Sequence, residues 1–251
     1  MDHLLKNSFD EILLQLTSVG LSTQPLPPRK VLFWGERAGE ISSYVAGWLA
    51  GKGIEVIVLD GANHFDPYMA SSFARKALIP PEKLLKRIRI ARAFTCYQMA
   101  TLVGERLTCL FSQEGVNVQR EKRWVILLGP ISTFLDEDVP EREVRPLFER
   151  SLKKIEEMAV RGIPFLLFQS NGFDSKRVYL IRRLLQFSNV VWKISLEDQE
   201  PKIVLDKGIN SIADRKSQIE KSLPARSRTS RTFAEGRRFG EGRDSIFGFR
   251  I

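Results

Sequence analysis

The sequence predicts an α/β fold: a largely parallel sheet covered by helices on both faces, preceded by an N-terminal helix and followed by a flexible basic C-terminal tail. Three observations carry this reading. Apolar runs of strand length alternate with amphipathic stretches of helix length between residues 29 and 208, the pattern of successive strand–helix crossovers. The runs Trp124–Leu128 and Ile163–Phe168 are almost wholly apolar rather than alternating, which suits strands buried on both faces. Several runs end in short segments rich in Gly, Asp, Asn or Ser, residue types that let a chain turn out of a sheet.

The elements follow in order. Residues 3–18 read as an amphipathic helix, because Leu4, Leu5, Phe9, Ile12, Leu13 and Leu16 recur at three- and four-residue intervals. Its apolar face needs burial, on its own core or on a neighbouring subunit. Thr23–Pro28 is a proline-rich linker, so residues 1–28 form a helix-and-linker unit ahead of the 29–208 core. Val31–Trp34 is a short buried strand, Ser42–Gly51 a helix, and Glu55–Leu59 the next strand, ending at Asp60-Gly61. Asp66-Pro67 opens a helix, with proline tolerated in its first turn. Pro80-Pro81-Glu82 opens another, through Lys86. Arg87–Ala93 alternates basic with apolar residues, as a strand with one wet face does. Thr95–Leu107 is helical, Trp124–Leu128 a central strand and Glu141–Arg161 a long polar helix with an apolar side. Ile163–Phe168 is a strand, Val178–Phe187 a helix, and Val190–Leu196 and Lys202–Asp206 are two terminal strands joined by a polar turn. No internal repeat is found.

Composition narrows the function classes. The chain has 251 residues, and its 43% hydrophobic and 27% charged content is that of an ordinary globular protein. No apolar run reaches the roughly 18 residues of a membrane span, and Met1–Lys6 lacks the layout of a signal peptide. Cys96 and Cys109 make neither a disulfide framework nor a CxxC pair, which points to reduced thiols in a cytoplasmic protein. Net charge is +9, which favours an anionic partner such as nucleic acid. The surplus is uneven: residues 209–251 carry ten Lys/Arg against five Asp/Glu. In that tail Arg226, Arg228, Arg231, Arg237, Arg238 and Arg243 are interspersed with Phe233, Phe239, Phe247 and Phe249. Arginines with interleaved aromatics can hold a phosphate backbone and stack on bases, so they are the candidate DNA contacts. The same phenylalanines can instead dock on a protein core.

The candidate ligand site lies where strands end. In open parallel sheets ligands sit outside the carboxyl ends of the strands. Those ends carry Gly35–Ser42, Asp60–Asp66, Gly129–Thr133 and Gln169–Asn171, four segments predicted to line one crevice. The first of them, Gly35-Glu36-Arg37-Ala38-Gly39-Glu40-Ile41-Ser42, occupies the place of a phosphate-binding loop, GxxxxGK[ST] between strand and helix. The lysine place holds Ile41 and the glycine before it is Glu40. A glycine-containing turn can still hold an anion through backbone N–H groups and the helix dipole, so Gly35, Glu36, Arg37, Gly39 and Ser42 are the candidate anion-binding residues, with Glu40 opposing the dipole. Asp60, Asn63, His64 and Asp66, with Asn171, form the polar cluster of the crevice. They suit either a ligand, such as one metal ion on carboxylates, or turn and capping chemistry. His64 is one of two histidines, which excludes a His-rich metal site. Cys96 reads as a small core residue rather than a nucleophile. Arg87, Arg89 and Arg92 read as partners of carboxylates on covering helices, and Lys153, Lys154 and Arg161 as an ordinary solvated helix face.

Over about residues 20–208 the chain resembles the core of RecA-type recombinases, on the archaeal and eukaryotic side. Phe33-Trp34-Gly35-Glu36 is similar to the family's strand into its phosphate loop, and Leu59–Pro67 to its second-strand segment. Pro81–Leu85 followed by Arg89–Phe94 and Gln98 is the most specific part, similar to a Pro-Glu helix, an Ala-Arg-Ala-aromatic strand and a Gln-bearing helix. Trp124–Leu135 resembles the Walker B strand and its sequel, and Phe165–Asn171 the strand ending in a nucleotide-sensing amide. The resemblance implies a P-loop NTPase fold whose chemistry is depleted. Ile41 stands for the loop lysine, Ala62 for the water-activating glutamate and Gly129 for the Walker B aspartate; only the hydroxyl of Ser42 persists. Phosphoryl transfer depends on positioning, Mg²⁺ and charge neutralisation, so no ATPase activity and no cofactor is expected, with weak nucleotide or phosphate binding left open. The expected function is a catalytically inactive RecA-like paralogue that binds DNA through the basic tail, a recombinase or other repair protein through its core, or both, in recombination and repair. The alternatives are a protein-binding scaffold or inhibitor without DNA affinity, and a divergent ATPase. A homo-oligomer is compatible with all three.

Overall fold

In the computed structural model the described residues are 13, 30–112, 123–171, 177–197 and 200–206. They form one seven-stranded sheet. Its strands are β1 (Lys30–Gly35), β2 (Glu55–Asp60), β3 (Ile88–Arg92), β4 (Arg123–Leu128), β5 (Phe165–Ser170), β6 (Val190–Glu197) and β7 (Glu200–Leu205). The order across the sheet is β3-β2-β4-β5-β1-β6-β7, parallel throughout except for β7, which returns antiparallel on β6. The predicted α/β class, the mainly parallel sheet and its covering by helices on both faces are all present. The predicted N-terminal helix and basic tail lie outside the described residues, apart from Leu13, which is helical and buried.

Side chains alternate across the pleat, and the core divides accordingly into two apolar clusters. Val31, Phe33, Val56, Val58, Ile126 and Phe168 face α1 (Ala38–Gly51), α2 (Pro67–Lys76) and α3 (Pro81–Leu85). Leu32, Ile57, Leu59, Val125, Leu127 and Leu167 face the opposite layer. That layer holds α4 (Cys96–Thr101), a wide π-type segment Leu102–Leu107, α5 (Thr108–Ser112), α6 (Glu141–Val160) and α7 (Val178–Phe187). Phe33 and Phe168 stack across β1 and β5 with ring centroids 4.9 Å apart, and Phe134 meets Phe148 edge-on at 5.2 Å in the second layer. Cys96 is buried, as a small core residue, and burial pushes its thiol above the usual range. No helix among the described residues is long and apolar enough to cross a membrane.

Four elements differ from the sequence reading by two residues or more at an end. Helix α1 begins at Ala38, four residues before Ser42, because Arg37 takes a left-handed conformation (φ 56°) and turns the chain at once. Strand β5 starts at Phe165, two residues after Ile163, because Gly162 (φ 93°) and Pro164 keep the approach out of the ladder. The helix predicted to stop at Leu107 continues to Ser112 through the π-type widening, which needs no break in the chain. β7 spans Glu200–Leu205, two residues earlier at its start than predicted.

Replacing Phe168 with Ala removes a ring that is fully buried and stacked, and large-to-small changes of this kind cost about 3–5 kcal/mol. The expected outcome is an unfolding free energy lowered by that amount, read as a lower urea midpoint at an unchanged slope. A loss below about 1 kcal/mol would contradict the packing described. Thiol labelling gives a second check: Cys109 is exposed and reacts in the native protein, whereas Cys96 reacts only on unfolding.

Candidate functional site

The carboxyl ends of β2, β4, β5 and β1 lie side by side, and the four predicted segments meet there. They pack on one another through the backbone. The N–H of Gly61 donates to Leu128 O (2.8 Å), that of Gly129 to Phe168 O (2.8 Å) and that of Asn171 to Gly35 O (3.3 Å). The N–H of Ile131 donates to the Gln169 side-chain oxygen at 3.1 Å, and Gln169 is 2% exposed. In the sequence Gln169 stands out only as part of a strand-end segment. A buried glutamine closing a parallel sheet is a spacer between loops, and only its neighbour's backbone reveals that.

Two glycines set how closely the segments approach. Gly35 has φ 138°, and a Cβ there would overlap the carbonyl oxygen of Ile194 on β6. Gly39 lies in the first turn of α1, and a Cβ there would come 2.9 Å from the Cβ of His64. The loop after β2 therefore lies directly against the start of α1.

The first turn of α1 is closed. Ala38, Gly39, Ile41 and Ser42 are buried, while Glu36 is exposed and Arg37 half-buried. The Ser42 hydroxyl donates to the Gly39 carbonyl at 2.7 Å, and the Ser43 hydroxyl donates to the same oxygen at 3.0 Å. Ser43 Oγ also accepts from the Asp66 N–H at 3.0 Å, which ties α1 to the entry of α2. The guanidinium of Arg37, the one cation in the segment, donates to Glu40 through Nε at 3.0 Å and through Nη2. Glu40 thus pairs with the local positive charge. A single two-residue turn, Glu36-Arg37, separates β1 from α1.

Asp60 organises the polar cluster. Its side chain is fully buried. Oδ1 accepts from the N–H groups of Ala62 and His64 at 3.2 Å each, and Oδ2 accepts from Phe65 at 3.1 Å. Arg92, on the adjacent edge strand, brings Nε to 3.5 Å from Oδ2. Asp66 caps α2 by accepting from the Tyr68 N–H at 2.8 Å. Asn63 is exposed in the left-handed region (φ 55°), His64 is exposed, and Asn171 is exposed at the end of β5. Among the described residues no group of three His, Cys, Asp or Glu side chains stands close enough to hold a metal ion.

Arg89 and Arg92 of β3, and Arg87 just before it, bond to β2 and the turn before it, not to covering helices. Arg89 pairs with Glu55 at 2.7 Å, Arg92 with Asp60, and Arg87 donates to Gly53 O at 3.0 Å. The physical reason is that β3 is the sheet edge, where a long side chain reaches its strand neighbour before any helix. The six tail arginines, Arg226, Arg228, Arg231, Arg237, Arg238 and Arg243, lie outside the described residues.

Asp60→Ala strips acceptors from three backbone N–H groups, each worth about 1–3 kcal/mol when left unpaired in a buried setting. The expected outcome is a loss of about 3 kcal/mol or more in urea denaturation, with Asp60→Asn losing less because one acceptor oxygen remains. Equal, negligible losses in both variants would contradict the role assigned to Asp60.

No family model matches the chain, and no curated protein matches it.

Proposed function

We propose that this chain is a catalytically silent RecA-like paralogue that binds DNA, a recombination-repair protein, or both, and works in the cytoplasm without a cofactor. The RecA-like part of the reading rests on the resembling segments and gains support from where the sheet puts them. The strands that carry them, β1, β2, β4 and β5, deliver their ends to one cluster, with β5 between the strand resembling the phosphate-loop strand and the strand resembling Walker B.

The observation that carries the silent part is the closed first turn of α1. A phosphate cradle needs outward-pointing N–H groups, a cation and room for the anion. Here the turn before the helix is two residues long, Gly39 in the helix's first turn abuts His64, Arg37 is held by Glu40, and the Ser42 hydroxyl bonds its own helix. The place of the Walker B aspartate is Gly129, whose φ of 66° and tight contact with Ala62 suit a packed turn.

DNA binding is argued from charge. The net +9 and the excess of basic residues in 209–251 supply an anion-seeking segment, and phosphate neutralisation supplies most of the affinity of such segments. One observation favours the protein-partner arm. β3 is a free sheet edge among the described residues, and Ile90, Phe94 and Tyr97 on or just after it are 43%, 67% and 46% exposed. Exposed apolar groups beside an open edge are a common signature of protein contact.

The test is a titration of labelled single- and double-stranded DNA at several salt concentrations, with ATP hydrolysis followed in parallel. It compares the native chain with a variant carrying Gln at Arg226, Arg228, Arg231, Arg237, Arg238 and Arg243. The native chain is expected to bind with affinity falling steeply as salt rises. The variant is expected to bind more weakly, with a salt slope smaller by up to about 5. Neither turns over ATP. Equal binding by both proteins would overturn the tail's role; no DNA binding, with stable capture of a recombinase, would favour the scaffold. Mg²⁺-dependent hydrolysis lost in Ser42→Ala would establish the divergent ATPase instead.

A further inference from the structure

The β6–β7 hairpin has a buried apolar face that the described helices do not account for. On the side that carries α1, Trp192 and Ile194 of β6 and Ile203 of β7 belong to the same cluster as Val31 and Phe33, with Val190 packed against it. Trp192, Ile194 and Ile203 are 7%, 0% and 9% exposed. Helix α1 lies over β5, β4 and β2, and α2 and α3 belong to the β2–β3 connection at the far end of the sheet. From β5 to β7 is three strand spacings, about 14 Å. A helix with its side chains is about 10–12 Å across, so α1 reaches β1 and the near side of β6 but not Ile203. Helix α1 raises the same question on its own account. Every residue from Ile41 to Ala50 is buried, although the helix packed closest along it is α2, which meets Gly47 at Ala70.

Among the described residues, one from outside the sheet and its crossovers sits in this cluster: Leu13, helical and 8% exposed. It falls in the middle of the apolar stripe Leu4, Leu5, Phe9, Ile12, Leu13, Leu16. The linker after that stripe runs into β1, which is hydrogen-bonded to β6. We propose that residues 3–18 form an amphipathic helix seated on the Trp192–Ile194–Ile203 face of the β6–β7 hairpin, beside α1, as a layer of the same chain's core. The occupant is the chain's own segment because Leu13 is buried within the single chain and the linker opens directly onto the neighbouring strand. Leu205, opposite Trp192 on the outer strand, and Leu196, opposite Pro201 beside the hairpin turn, are both 39% exposed and mark two sides of the seat's rim.

The test uses the full-length chain. Leu13→Asp puts a charge in the seat, and Leu13→Ala is the milder variant should the first fail to fold. Both are expected to speed amide exchange in β6 and β7 by about tenfold or more while β2 and β4 keep their protection, because local opening exposes only the uncovered unit. Unchanged exchange in β6 and β7 in the folded variants would overturn the proposal. A second measurement assigns the chain of origin. With Cys109 replaced by Ser, Leu16→Cys and Leu205→Cys are treated with a short bismaleimide. An intrachain link is expected. A link only between two chains, or no link at all, would overturn the assignment of the seat to the chain's own helix.

Discussion

The Asp60 carboxylate is the constraint on which the arrangement at the sheet's carboxyl edge depends. It sits at the end of β2, fully buried, and accepts three backbone N–H groups from the six residues that follow it while Arg92 approaches from the edge strand. Burying a carboxylate is expensive unless hydrogen bonds and charge replace its water, and this one has both. The consequence is a fixed loop from Ala62 to Phe65. That loop brings His64 onto Gly39, leads into the Asp66 cap of α2, and lets Ser43 bridge α1 to α2. One side chain therefore fixes three elements relative to each other.

The same loop decides what α1 can do. An exposed helix start is an anion site by default, because its first N–H groups and its dipole point outward. Here the start is buried, the turn before it is two residues long, and Arg37, the cation of that turn, is held by Glu40. The strand–turn–helix that begins the core is a packing joint. On the proposed reading, a nucleotide-enzyme architecture has been kept for its shape and its surfaces, with binding carried by the tail and by the exposed edge at β3.

Much of the fold is legible in the residues. Trp124–Leu128 reads as central because it is apolar on both faces, and it lies between β2 and β5. Asp66-Pro67 reads as a helix start and is one, since a side-chain acceptor followed by proline leaves little else for the backbone to do. The start of α1 is less legible. Gly35, Gly39 and Ser42 sit at spacings that look like a loop, and the sequence does not announce that Arg37 adopts a left-handed turn and starts the helix four residues early. Asp60 is visible in the sequence as a polar residue at a strand end, with ligation and turn chemistry both open. Its role depends on which backbone groups face it, which is a tertiary fact. For the same reason the partners of Arg87, Arg89 and Arg92 are not legible in the sequence: the order of strands, which puts β3 at an edge beside β2, cannot be read from local pattern.

On the proposed reading, the β1–α1 turn offers no seat for a metal-bridged triphosphate. The most direct measurement is an amide-resolved NMR titration of the full-length protein with Mg-ATP, following Gly35, Arg37, Gly39, Glu40 and Ser42. The account predicts that their resonances stay in place, or drift weakly and without saturation as for a nonspecific anion, and that removing Mg²⁺ changes nothing. Saturable shifts at Gly39 and Ser42 that require Mg²⁺ would contradict it.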